Sequence, residues 1–418
     1  KVALAGAAAA LAITVGVLLW PEPAHLTLVR SITAPGIVDW NGAQIGDWDG
    51  NREPDLFLAR ENNLLAISPK GELLRMKEIA EADRGFLQLG FVQDIDGDGK
   101  DEAVVSWTVG TNLGVAVLNQ DFNPVKTFGA QGTLKRFAEI LSRSTLDPRM
   151  ILDLDCDGTR ELIATVITGL GREPRGVRCF DFASQRLRWA YPTGPYLTEA
   201  VVVDLDGDGR LDLVFGSSAV SNGNVGGDGT DDEHSYLFAF KHDGTPLWSR
   251  ELGGYYTEVH ALPAKVRGDG RKTLVAWVTS ADEHRTQHGA EEIAEVIGYD
   301  LLGNRTGFYS PGARLMSCRG ADLDSDGQQE IVATDRLGFV HVLDAEFKLR
   351  QRVQLVSKRF DRVDLRLAAV TNLQGAGPPD LIFTCAQVEF VTPPSEGKPG
   401  DPASRLDYHD VSVLVRSA

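Results

Sequence analysis

Asp204-Leu205-Asp206-Gly207-Asp208-Gly209-Arg210-Leu211-Asp212 is the stretch that decides the fold. It places acids at positions 1, 3, 5 and 9 and glycine at position 6, with apolar runs on both sides. The frame returns as DWDGNREPD (Asp47–Asp55), DIDGDGKDE (Asp94–Glu102), DLDCDGTRE (Asp153–Glu161) and DLDSDGQQE (Asp322–Glu330). KVRGDGRKT (Lys265–Thr273) and NLQGAGPPD (Asn372–Asp380) keep the frame and lose the acids. Successive copies start 47 to 61 residues apart. Each loop is followed by an apolar strand, a variable stretch, a third strand, a turn and a fourth strand, most clearly in Tyr236–Leu252 and Phe339–Leu355. Four strands per repeat, seven times over, predict an all-β chain: a seven-bladed β-propeller of four-stranded blades. A β-helix would need much shorter coils, and a helical array would need a 3.6-residue period that is not present.

The acid spacing carries its own chemistry. Calcium takes six to eight hard oxygens, and alternate carboxylates on a tightly coiled loop converge on one point. The expected ligands are Asp94, Asp96, Asp98, the Lys100 carbonyl and Glu102; then Asp153, Asp155, Asp157, the Thr159 carbonyl and Glu161. The next two loops offer Asp204, Asp206, Asp208, the Arg210 carbonyl and Asp212, and Asp322, Asp324, Asp326, the Gln328 carbonyl and Glu330. The first loop offers Asp47, Asp49, Asn51, the Glu53 carbonyl and Asp55, but Arg52 holds position 6, where glycine serves the turn elsewhere, so it is expected to be the weakest. Ordinary polar turns also use Asp and Gly. Five copies in one frame, each between apolar strands, favour four to five calcium sites instead. Arg267 and Ala376 remove the acids from the other two copies.

These loops and this frame resemble the FG-GAP/VCBS repeats of integrin α-subunit head domains and of many bacterial surface proteins. The likeness covers nearly all of Leu26–Ala418. It implies a seven-bladed propeller with its metals on the face formed by the loops between first and second strands. It does not imply one function.

The formal net charge is −17, and the five acidic loops, with 21 acids and four bases, carry a charge equal to all of it. That balance excludes nucleic acid as a partner. Cys156, Cys179, Cys318 and Cys385 show no metal or redox spacing and read as free thiols. Val2–Trp20 is uncharged and long enough to cross a bilayer as a helix, so residues 1–24 read as one N-terminal transmembrane helix or an uncleaved signal segment. Residues 25–418 form the propeller, membrane-anchored on the extracytoplasmic side or else secreted. The seventh repeat supplies three strands, near Leu367–Val370, Leu381–Thr384 and Val411–Val415. Leu26–Ile32 is expected to complete it and close the ring.

The loops opposite the metal face are long: Ser217–Glu233, Ser280–Glu295 with His284 and His288, and Gln387–Asp410. The acids Asp228, Asp231, Asp232 and Glu233 read as a solvated run. Tyr191, Tyr196, Tyr255, Tyr256 and Tyr309 at the blade junctions are either partner-binding or packed under these loops. The leading function is a binding or recognition module for a protein, glycan or small molecule, with the sensor ectodomain of a larger receptor as its more specific form. It is not read as an enzyme. The alternatives are a propeller enzyme, PQQ-like in its Trp189 and Trp248 or polysaccharide-active, and a structural adhesin.

Overall fold

The structure is a computed structural model. It describes residues 43–417 except 61, 69, 80–84, 110–111, 131–143, 169–174, 267–271, 281–292, 358, 360–361, 372–378 and 392–404. The N-terminal segment, the closing strand expected at Leu26–Ile32, His284, His288, Arg267 and Ala376 therefore lie outside the described residues. So do the expected transmembrane helix and the ring closure.

Every regular element among the described residues is a β-strand. The chain divides into two compact units between Leu315 and Met316. In the first, β1 (Ala43–Gly46), β2 (Asp55–Arg60), β3 (Asn63–Ile67) and β4 (Leu73–Glu78) form an antiparallel meander. The second meander is β5 (Gly85–Gln93), β6 (Glu102–Val109), β7 (Asn112–Leu118) and β8 (Pro124–Ala130). The third is β9 (Ser144–Leu152), β10 (Glu161–Thr168), β11 (Gly176–Asp181) and β12 (Leu187–Tyr191). β13 (Tyr196–Val203), β14 (Asp212–Ser218), β15 (Ser235–Phe240) and β16 (Pro246–Gly253) form the fourth. β17 (Thr257–Val266), β18 (Lys272–Ser280), β19 (Ala294–Tyr299) and β20 (Arg305–Tyr309) form the fifth, joined to the fourth by the Ser218–Glu258 pair. The second unit holds β21 (Leu315–Ala321), β22 (Glu330–Asp335), β23 (Phe339–Leu343) and β24 (Leu349–Gln354), then a three-stranded sheet. That last sheet is β25 (Arg362–Thr371), β26 (Asp380–Val391) and β27 (Arg405–Ser417), each longer than the sequence pattern predicts.

Burial within a sheet follows the residue types. Second and third strands such as β14 and β15 are buried almost throughout, because sheets pack on both their faces, and they read as continuous apolar runs. Fourth strands such as β16 and β24 alternate or stay exposed, as an outer edge requires. Within each unit the cores lie between consecutive sheets. Phe57, Leu64, Leu89 and Val105 fill the space between the first two; Val104, Leu146, Leu162 and Phe180 fill the next. Leu197, Phe215 and Phe238 meet Ile163 and Cys179, and Val214 and Leu237 meet Val259 and Ala276. Val332 packs with Leu365 and Phe383 in the second unit. None of the four cysteines is in a disulfide; Cys156 is exposed and the others buried, and burial drives the Cys179 thiol up to about 12.

Outer strands also reach the next sheet's turn. Trp189 Nε1 donates to the His242 carbonyl at 3.1 Å, and Trp248 Nε1 donates to the Leu301 carbonyl at 3.2 Å. Each indole lies where a side chain on Gly244 or Gly303 would collide with it, so these tryptophans are packing residues.

Candidate metal centres

All five acidic loops sit between the first and second strands of their sheets, and all five share one backbone. Position 6 is left-handed in each: Arg52 (φ 67°), Gly99 (86°), Gly158 (87°), Gly209 (84°) and Gly327 (82°). Position 4 is left-handed as well: Gly50 (78°), Gly97 (83°), Cys156 (60°), Gly207 (81°) and Ser325 (60°). Sequence reading recognised the first requirement and missed the second, although glycine at position 4 in three of the five loops signals it. Arg52, Cys156 and Ser325 hold a conformation that L-residues adopt at a cost.

Carboxylates hold the coil together. The position-1 acid accepts the position-6 N–H in every loop, at 2.7 Å for Asp47, 3.1 Å for Asp94, 2.9 Å for Asp153, 3.1 Å for Asp204 and 3.0 Å for Asp322. The position-9 acid heads the second strand and turns back into the loop, accepting the position-2 N–H. These contacts are Trp48–Asp55 (3.0 Å), Ile95–Glu102 (2.9 Å), Leu154–Glu161 (2.9 Å), Leu205–Asp212 (3.0 Å) and Leu323–Glu330 (2.9 Å). Each of these five acids is at most 3% exposed. Burial, opposed by that N–H and reinforced by neighbouring acids, pushes the Asp55, Glu102 and Asp212 carboxyls above their ordinary range. Glu161 is raised by burial too, against the Leu154 N–H and the Arg188 charge.

Positions 1, 3 and 9 converge. In Asp47/Asp49/Asp55, Asp94/Asp96/Glu102, Asp153/Asp155/Glu161, Asp204/Asp206/Asp212 and Asp322/Asp324/Glu330, one oxygen from each residue lies within 4.8 Å of the others. Three of these groups contain a buried oxygen with no hydrogen-bond partner among the described residues: Asp55 Oδ1, Asp155 Oδ1 and Asp322 Oδ1. A buried, partnerless carboxylate oxygen is costly unless a cation satisfies it. The set of hard oxygens, the convergence and the orphaned atoms all fit a divalent cation.

Position 5 has a second task. Asp98, Asp157, Asp208 and Asp326 are not among the three converging acids of their loops, and Asn51 holds the same position in the first loop. Each accepts the position-7 N–H, of Glu53, Lys100, Thr159, Arg210 or Gln328, at 2.6 to 2.9 Å. Each short Asx turn spends a side-chain oxygen on the loop, and Asp326 also accepts the Gln328 side-chain amide through its other oxygen at 3.3 Å.

Basic side chains approach three of the groups. Arg188 donates to Asp155 Oδ2 at 2.9 Å and to Glu161 Oε1. Arg350 Nη1 lies 3.0 Å from both Asp324 Oδ2 and Glu330 Oε1. Lys241 Nζ lies 2.7 Å from Asp206 Oδ2, and that hydrogen bond lowers the Asp206 carboxyl. Glu102 Oε1 instead accepts from the neutral Gln120 amide at 2.9 Å.

The acids after Ser217 are not simply a solvated run. Asp232 is fully buried and accepts the N–H groups of Asn222, Gly223 and Asn224 at 3.0 to 3.1 Å. It also pairs with the buried Arg175 at 2.9 Å. The Arg175 guanidinium lies 4.3 Å from the Tyr196 ring centroid, and Tyr191 Oη donates to Asp228 at 3.1 Å. Two of the five junction tyrosines therefore brace this loop. Tyr255 and Tyr256 pack edge to face at 4.6 Å, and Tyr309 pairs with Val296 at the sheet edge.

No family model matches the sequence, and no curated protein matches it. Solved structures do. The Dos1 propeller is similar with a TM-score of 0.51 at 10% identity, over 81% of this chain and 73% of that one. BamB from Moraxella catarrhalis (TM-score 0.45, 13% identity, 83% of this chain and 81% of that one) scores lower. So does the Neurospora crassa Pan2 WD40 domain (0.45, 12%, 83% and 86%). At such identity the likeness to the Dos1 propeller speaks of fold alone, and together with the repeated four-stranded meanders it makes this chain a β-propeller.

Proposed function

We propose that the chain is a calcium-stabilised binding propeller of the FG-GAP/VCBS type, with seven blades, working outside the cytoplasm. The observation that carries this reading is the fivefold recurrence of one loop in which three acids converge, with a buried carboxylate oxygen that lacks a partner among the described residues in three of the five. The acids at positions 1, 3 and 9 would hold the ion, with the position-5 side chain and the position-7 carbonyl as further donors. Bound calcium supplies charge neutralisation that lets each loop close without repulsion. Extracellular calcium modules bind at about 10⁻⁴–10⁻³ M, the range to which an exposed four-acid loop is suited. The role of the fold is then presentation: rigid sheets carry long loops such as Ser217–Glu233, whose conformation is set by the Asp232–Arg175 pair. The partner class is a protein, glycan or small molecule, and the chain binds it without catalysis.

Calcium titration by calorimetry, followed by melting with and without chelator, tests the reading. Binding of four to five ions in the submillimolar to millimolar range, with a higher melting temperature in calcium, is the expected result. An equal melting temperature and no heat of binding up to about 10 mM, well above the range for such modules, would refute it.

A further inference from the structure

Every third–fourth strand pair in the six four-stranded sheets carries a register shift, and the shift falls at the same place. Between Ile67↔Leu73 and Ala66↔Arg75 the extra residue is Leu74. By the same registers it is Val125, Arg188, Leu247, Thr306 and Arg350 in the following sheets. A bulge re-aims the side chain it carries. Where that residue is arginine, in the third and sixth sheets, the guanidinium spans the position-3 and position-9 acids of its own sheet's loop. Those are two of the three groups that would surround a metal ion.

We propose that Arg188 and Arg350 are built-in cations that hold the Asp153 and Asp322 loops closed without metal and weaken their calcium binding. The proposal rests on the calcium reading above. Glu161 shows the mechanism most fully. Its Oε2 accepts the Leu154 N–H and its Oε1 accepts Arg188, so calcium must share or displace the arginine contact. A guanidinium within hydrogen-bond reach also repels the ion through the shared acids. Asp155 Oδ1 and Asp322 Oδ1 keep no partner among the described residues, so the arginines leave each site an unsatisfied oxygen. In the Asp94 loop the bulge residue is Val125, and Glu102 meets the neutral Gln120, so its acids stay uncompensated until metal arrives. In the Asp47 loop the bulge residue is Leu74, and the buried Asp55 Oδ1 is left open. The loops are thus graded: those at Asp47 and Asp94 depend on calcium, and those at Asp153 and Asp322 do so far less.

Hydrogen exchange read loop by loop during a calcium titration of the full chain tests this, because the position-6 and position-7 amides bond directly to loop carboxylates. In Arg188→Gln, the calcium concentration that half-protects the Asp153 loop should fall about tenfold, equivalent to about 1.4 kcal/mol. The same loop should exchange faster in chelator, and the Asp94 loop should not change. Arg350→Gln should do the same at the Asp322 loop. Val125→Arg, which installs the arginine at an exposed position, should raise the midpoint of the Asp94 loop about tenfold, again about 1.4 kcal/mol. Unmoved midpoints in these variants, or a raised calcium midpoint for the Asp153 loop in Arg188→Gln, overturn the arginine role and leave the calcium reading standing. A wild-type chain with no calcium response in any loop overturns both.

Discussion

Asp55→Asn should change sign with calcium. Asp55 is fully buried, its Oδ2 accepts the Trp48 N–H, and its Oδ1 has no partner among the described residues. The amide keeps an oxygen for Trp48, removes a buried charge from the field of Asp49, Asp47 and Glu53, and puts a donor where an acceptor stood alone. Relief of one buried unsatisfied group is worth at least about 1 kcal/mol, so the variant should be more stable than wild type in chelator by about that amount. In about 2 mM calcium the wild-type loop gains about 0.6–1.8 kcal/mol by mass action, for a dissociation constant of about 10⁻³–10⁻⁴ M. The variant forfeits most of that gain, and the two effects roughly cancel or reverse. For a chain of this length about 1 kcal/mol corresponds to about 1 °C. Scanning calorimetry should therefore find Asp55→Asn about 1 °C above wild type in chelator and level with it or lower in calcium. A variant that melts below wild type by the same margin in both conditions would show that Asp55 serves the turn and not the ion.

Arg52→Gly relieves a left-handed arginine and should stabilise by about 0.5–1 kcal/mol in denaturant titration, part of the relief being lost to the freer unfolded chain. Asp232→Ala leaves Arg175 buried and three backbone N–H groups unpaired; a loss of about 3–5 kcal/mol is expected, and faster exchange across residues 219–234 should accompany it. A pH effect should appear at His260, which stacks on Trp277 at 4.0 Å and faces Glu199 at 2.6 Å and Glu258 at 3.6 Å. Arg149, paired with Asp147 at 3.1 Å, adds a further charge beside Glu199. Burial opposes the imidazolium, but the two glutamates outweigh it and raise His260 to about 9; Glu199, desolvated yet bonded to that cation, falls to about 2. The raised histidine stabilises fully below about 6.5 and loses its effect as pH rises through 9, whereas the lowered glutamate stabilises above about 4.5 and loses its effect as pH falls to 2. The melting-temperature gap between wild type and His260→Gln should thus be widest at about pH 4.5–6.5 and narrow on either side. Glu199 is more than half exposed, so salt should shrink the gap. A gap independent of pH would reduce His260 to its stacking on Trp277.

Much of this protein is written locally. The D-x-D-x-D-G-x-x-D/E frame dictates a tight coil, because carboxylates two residues apart capture backbone N–H groups only when the chain turns there. The apolar runs beside it dictate strands buried on both faces. Those two facts identified the five acidic loops, the strands beside them and the four-strand repeat of the first six sheets, and they include positions 1, 3 and 9, whose acids converge in each loop. They also left the final sheet one strand short, and three strands are what the described residues show there.

Other features depend on partners far along the chain. Nothing near Arg188 or Arg350 marks them as neighbours of acids 20 to 33 residues upstream; a register shift between third and fourth strands brings them there. Asp232 reads as one acid in a hydrophilic run, and only its burial against Arg175, 57 residues away, turns it into the anchor of that loop. The split of position 5 from the three-acid groups was also illegible, since the spacing treats alternate acids alike. The coil gives Asn51 and its four counterparts to the following N–H instead. Local hydrogen bonding is a property of adjacent residues, so sequence spacing determines it. The cation that a carboxylate finally faces depends on strand register and sheet stacking, which only the tertiary structure decides.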